Sequence, residues 1–166
     1  TTARAKRAYM TRRSVLLESL EASPRDLARL LRPIDATAAQ WRPAPAEWCI
    51  ADVVAHLSYC EAPYLARLRR VVEQDNPFEP ALLPDESTHD LARPLADLLA
   101  AFVTRRANTV AFLTGIEQRD WGRPLIHATL GPTKLRDQVQ ELVAHDNLHL
   151  EQIVTLRERL EAIPRE

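Results

Sequence analysis

A chain of 166 residues is the size of one domain and is long enough to bury most of its surface around a single core. Hydrophobic content of 46% with 27% charged residues excludes a disordered chain, and a net charge of −1 gives no electrostatic footprint of a nucleic-acid binder, which usually carries a basic face. Three glycines against twelve prolines leave little material for tight hairpins or phosphate-cradling loops, so the balance favours helices separated by proline-marked joints.

Cys49 and Cys60 stand apart with no paired spacing, so no disulfide framework is expected and a reducing, cytoplasmic setting fits. No run approaches the roughly 18 apolar residues of a membrane span, and the polar, basic N-terminus lacks the apolar segment of a signal peptide. From Thr1 to Arg13 the chain holds Arg4, Lys6, Arg7, Arg12 and Arg13 without an acidic residue. Solvated helix starts share that pattern with nucleic-acid arms and are the commoner case. Neither nucleic acid nor membrane is expected as a partner.

In chain order, Val15, Leu16, Leu20, Leu27, Leu30, Leu31 and Ile34 recur at helical spacing. Ser23 can cap a second piece with Pro24 at its first position, which predicts a break or kink there. Arg42 to Trp48, with Pro43 and Pro45, is a joint that restrains the residues before each proline from the α region. A long helix should follow, with Cys49 as N-cap, Asp52 three positions on, and a stripe of Ile50, Val53, Val54, Leu57, Leu65, Leu68, Val71 and Val72. Pro63 falls inside the stripe and predicts a kink. Beside the stripe, Asp52, His56, Tyr59 and Cys60 share one face.

Residues 74 to 87 hold Pro77, Pro80 and Pro84 without periodicity and read as a crossover from one end of a bundle to the other. A third helix is predicted from Thr88 to Gly115, then a loop with Trp121, Arg123 and His127, then a last helix capped by Thr133 and striped by Leu135, Val139, Leu142, Val143, Leu150, Ile153, Leu156 and Leu160. Four amphipathic segments, almost no strand signal and one long crossover predict an all-α fold, a four-helix bundle spanning 1–166 as a single domain.

Within the last helix His145 and His149 lie at i and i+4, one above the other on one face. Imidazole is the commonest protein metal ligand near neutral pH, yet two histidines at this spacing are more often ordinary core or surface side chains. A site needs a third ligand from a facing helix. His56, mid-helix beside an apolar stripe, is the candidate, although a lone histidine there is more often a hydrogen-bonded core side chain.

On these residues the chain resembles the DinB/YfiT-like family, four-helix bundles regarded as candidate metalloenzymes with a three-histidine site. Arg42 through Leu57, with Trp48 and His56, is similar to the family's tryptophan-then-helix segment. Phe102 to Arg105, Arg123 to His127 and Gly131 to Leu135 resemble its third helix and the loop before its fourth, and His145 to Gln152 resembles its HxxxH segment. Cys49 stands where the family usually has Ser or Thr, which weakens the cap by about 1 kcal/mol and leaves the ligand set untouched.

The resemblance implies that His56, His145 and His149 hold one divalent transition metal, with Zn, Ni and Fe all compatible with imidazole, and an open coordination position. It implies an enzyme acting on a small molecule: a metal-dependent S-transferase that uses a low-molecular-weight thiol, or alternatively a hydrolase. A stress-related metal-binding protein without turnover is the third alternative. It also admits a homodimer. No catalytic residue is assigned. Gln152 can orient a ligand from behind, Tyr59 and Cys60 are pocket candidates, and Asp52 is a helix-start carboxylate before it is a base. His89 is expected to be solvated, and His127 sits in a loop, where a substrate contact is the less common role, while Trp41, Trp48 and Trp121 are expected to pack the bundle's ends.

Overall fold

The computed structural model describes residues 12–82 and 93–163. The apolar stripes form four long helices, α1 (Arg12–Leu31), α3 (Ile50–Glu73), α4 (Leu95–Gly115) and α5 (Leu135–Glu161), with a short α2 (Ala36–Gln40) after the first. α1 and α3 each pack against both α4 and α5, so the first two long helices lie on a diagonal of the bundle. The expected four-helix bundle is what forms.

Two apolar clusters fill its core. One joins Leu27 and Leu31 to Ile50, Val53, Val54, Leu57, Leu98, Phe102, Ile153 and Leu156. The other joins Leu16 and Leu20 to Leu68, Val71, Leu113, Leu135, Val139 and Leu142, under Trp121 and Leu125. The start of α3 and the start of α4 thus share an end, so these helices run in parallel and the connection between them returns the length of the bundle; residues 83–87 of the expected crossover lie outside the described residues. A crossover is therefore present as expected. Between the clusters lies a polar layer of Ser23, Glu61, Arg106, Thr109 and Asp146, all buried.

Several local expectations are corrected. α1 continues through Ser23 and Pro24, and the proline is tolerated because the carbonyl it leaves without an N–H partner, that of Leu20, accepts from Arg106 Nη1 at 3.2 Å. Ser23 is not a cap: its hydroxyl donates to Asp146 at 2.7 Å, with the Ser19 carbonyl farther off at 3.2 Å. α3, where Pro63 predicts a kink but no break, is one helix through that residue. α4 starts at Leu95 with Pro94 as its N-cap; Thr88, its expected start, and His89 lie outside the described residues.

The chain also has strands that periodicity did not announce. β1 (Phe78–Glu79), β2 (Pro124–His127) and β3 (Gly131–Lys134) form a small sheet, with β1 parallel and β3 antiparallel to β2. Segments this short are below the length at which alternation can be counted. The β2–β3 turn is tied by His127 Nδ1, which accepts from the N–H groups of Thr129 and Leu130, each at 3.2 Å. Gly131 opens β3 at φ 70, where a side chain would be strained. Lys134 rather than Thr133 is the N-cap of α5, and Asp137 accepts from its N–H at 3.0 Å. Arg70 grips Glu79 of β1 through two bonds of 2.8 and 2.6 Å, and Arg67 donates to the Pro80 carbonyl, which anchors the beginning of the crossover on α3.

Candidate functional site

The start of α3 fixes one side of the site. Cys49 is extended at the N-cap and its N–H donates to Asp52 at 2.8 Å, while its thiol makes no capping bond. Asp52 is held in turn by Arg42 at 2.5 and 3.1 Å, so the proline joint is clamped to the helix it precedes. Two turns into α3 this rigid start presents His56 to α5.

There it meets His145 and His149. The three side chains place their ligating atoms within 4.8 Å of one another, and His56 Nε2 lies 3.0 Å from His145 Nε2. Ring centroids are separated by 5.1, 4.6 and 4.5 Å. Trp48 covers the cluster, stacked on His149 within 13° of parallel and tilted against His56. The tryptophan expected to pack a bundle end therefore walls the site. Tyr64, which drew no attention in the sequence, faces His145 at 6.2 Å between centroids.

Electrostatics favour the neutral form of His145 and His149. Burial disfavours the cation, aided by the neighbouring His149, and lowers the His145 pKa to about 4. His149 is lowered by burial as well, against an opposing bond to Gln152. In that bond Gln152 Oε1 accepts from His149 Nδ1 at 2.8 Å, which puts the proton on Nδ1 and the lone pair on Nε2.

The donor set fits a transition metal. Neutral nitrogen is the required protonation state. Two ligands of one ion at about 2.1 Å, subtending roughly 90 to 110°, lie about 3.0 to 3.4 Å apart, and the pair at 3.0 Å matches. Among the described residues His145 Nδ1 is buried with no hydrogen-bond partner, and one imidazole nitrogen facing another at contact distance needs a proton or a cation between the two lone pairs.

Of the other candidates, Cys60 lies against His56, its sulfur 3.5 Å from Nε2, and burial pushes its thiol up to about 12. Asp52 is occupied at the helix start by Arg42 and the Cys49 amide. Tyr59 is half-buried on α3. His127 is placed in the hairpin turn, as an acceptor of backbone amides. A cavity of about 710 Å³ opens beside the cluster, lined by Trp48, His149, Gln152, Thr155 and an ion pair of Glu47 with Arg159 at 2.7 Å.

Sequence reasoning missed the polar layer beneath the histidines. A signal existed: Phe102, Arg106, Thr109 and Leu113 share the core stripe of α4, Glu61 follows Leu57 by four on α3, and Asp146 follows Leu142 by four on α5. Charged residues on three core stripes must be paired with one another.

The family model of the DinB superfamily matches residues 19–153. Among solved structures, YfiT from Bacillus subtilis, described as a probable metal-dependent hydrolase with an unusual four-helix bundle topology, superposes with a TM-score of 0.77 at 18% identity, covering 90% of this chain and 87% of its own. TT2238, described as a four-helix bundle protein, does so with a TM-score of 0.65 at 20% identity, covering 86% of this chain and 98% of its own. No curated protein matches. Among the described residues, no helix is long and apolar enough to cross a membrane.

Proposed function

The chain belongs to the DinB superfamily, and from that premise we propose that it is a metal-dependent hydrolase of a small molecule, with His56, His145 and His149 as the ligands of one divalent transition metal. The observation that carries this reading is the convergence of three ligating atoms from α3 and α5 within 4.8 Å. The description of YfiT as a probable metal-dependent hydrolase supports the reaction class.

A metal held by these nitrogens supplies Lewis acidity, which polarises a carbonyl and acidifies water or a thiol. The protein's own residues do the rest. Burial holds His145 unprotonated and ready to ligate at neutral pH. Gln152 fixes the His149 tautomer and the direction of its free lone pair. Trp48 closes one side of the cluster to water, and the adjoining cavity has room for a small substrate against Trp48 and Gln152. The buried Cys60 thiol stays protonated, so no protein thiolate is at hand as nucleophile.

Two measurements test the proposal. Elemental analysis of protein from its native host should find close to one zinc, nickel or iron per chain, and His145→Ala and His149→Ala should lose it; full occupancy in both variants would remove the ligand assignment. Loaded protein is then incubated with ester and amide substrates, and separately with electrophiles in the presence and absence of glutathione, bacillithiol or mycothiol. Thiol-independent cleavage supports the hydrolase. Turnover only with a thiol would replace it with an S-transferase, and failure of every substrate at full occupancy would leave a metal-binding protein.

A further inference from the structure

We infer that the buried ion-pair layer centred on Arg106 is a positioning device that sets the register at which His56 on α3 meets His145 on α5. The inference rests on the metal-ligand reading above.

Arg106 projects from α4 into the middle of the bundle and is 1% exposed. Its Nε and Nη2 donate to Glu61 of α3 at 3.0 and 2.5 Å, and its Nη1 and Nη2 donate to Asp146 of α5 at 2.5 and 2.9 Å. Nη1 also reaches the Leu20 carbonyl of α1. The remaining carboxylate valences are filled from the outer helices, Glu61 by the Thr109 hydroxyl at 2.8 Å and Asp146 by the Ser23 hydroxyl at 2.7 Å. One planar guanidinium thus touches all four helices, and each acid accepts at least three hydrogen bonds.

Stability alone does not explain such a layer, since well-packed apolar side chains in place of a buried ion-pair cluster are often neutral or stabilising. Direction is what the ionic version adds. Apolar packing is non-directional and tolerates a small slide of one helix on another, whereas the fork of a guanidinium holds two carboxylates at fixed distance and angle. The held points adjoin the ligands. Asp146 follows His145 directly and precedes His149 by three residues, and Glu61 follows His56 by five. A metal site accepts ligand distances within about 0.2 Å, and an axial slip of that size between α3 and α5 separates the nitrogens now 3.0 Å apart.

The test compares zinc affinity, by competition with a chromophoric chelator, and metal-free stability, by denaturant midpoint, for the full chain and its variants. Thr109→Val removes one bond to Glu61 at nearly constant volume and lies on a helix that bears no ligand; Thr109→Ser restores the hydroxyl. The combined variant Arg106→Met, Glu61→Leu, Asp146→Leu replaces the whole layer by apolar side chains. The combined variant should weaken zinc binding by about ten- to hundredfold, the range for residues that orient ligands from outside the first shell, without a matching fall in metal-free stability. Thr109→Val should lose affinity in the same direction by less, and Thr109→Ser should recover it. If the combined variant does not fold, the Thr109 pair decides. Wild-type affinity in these variants, with binding lost in His145→Ala, would overturn the positioning role and leave the metal site standing. No zinc binding by the wild-type chain would overturn both.

Discussion

Two buried polar clusters sit side by side in this bundle and are finished to different degrees. Around Arg106 the polar groups answer one another: both acids are filled, the guanidinium serves three helices besides its own, and these bonds outweigh burial to raise its pKa. Around His145 the groups do not close. Two ring nitrogens face each other at 3.0 Å, where a neutral pair shares a single N–H at most, one further nitrogen has no hydrogen-bond partner among the described residues, and burial opposes a second proton on His145. A satisfied buried cluster is complete as architecture. One that leaves convergent lone pairs is complete only with something between them.

The sharpest way to break the comparison is to remove one member of each cluster. Arg106→Ala leaves two carboxylates buried without their cation and should cost about 3 to 5 kcal/mol of metal-free stability, the range for breaking a buried ion pair from one side. His145→Ala removes a group that forms no complete network and should cost far less. Comparable losses from the two, measured by denaturant titration, would erase the distinction.

Adding metal should act on the histidine cluster alone. At a free concentration one hundred times the dissociation constant, binding stabilises the folded state by about 2.7 kcal/mol. Calorimetry should show that increment in the wild type and none in His145→Ala. An equal increment in both would mean that the ion stabilises from elsewhere on the chain.

Acid sharpens the same contrast from the other side. His145 titrates near 6.5 when unfolded and near 4 when folded, so between those values the unfolded chain binds more protons. Metal-free stability is therefore fully present above about pH 7 and falls as pH drops through 6.5 towards 4. His145→Ala should flatten that part of the profile. An unchanged slope would assign the acid sensitivity to other groups.

The difference between the clusters also explains how far the sequence could be read. Four helices were legible because their stripes repeat over many turns, and His145 and His149 were legible because they share one helix. That His56 faces them depends on the order in which helices pack, which no single stripe encodes; its place beside an apolar stripe makes it a candidate, and the family resemblance carries it over as the third ligand. The Arg106 layer was overlooked because each charged residue, taken alone, looks like a polar interruption of an apolar stripe, and only in three dimensions do Arg106, Glu61 and Asp146 cancel. Ser23 and Pro24 misled for a related reason. The local rule ends a helix there, and the guanidinium that satisfies the freed carbonyl comes from 86 residues away.

The smallest expected change in stability comes from Gln152, half-buried at the edge of the histidine cluster. Its Oε1 accepts from His149 Nδ1, so its work lies in orientation rather than in packing. Gln152→Ala should change metal-free stability by less than about 1 kcal/mol, in the range of a single hydrogen bond. Metal affinity should nevertheless fall about ten- to hundredfold, because His149 is then free to turn or to adopt the other tautomer. Gln152→Glu keeps an acceptor at the same reach and makes it an anion, which draws the Nδ1 proton more strongly and raises the basicity of Nε2, so affinity should be retained or increased. The three side chains should therefore rank Ala below Gln, and Gln at or below Glu, in a zinc titration at pH 7. Equal affinity across the series would show that Gln152 packs beside the cluster without orienting it.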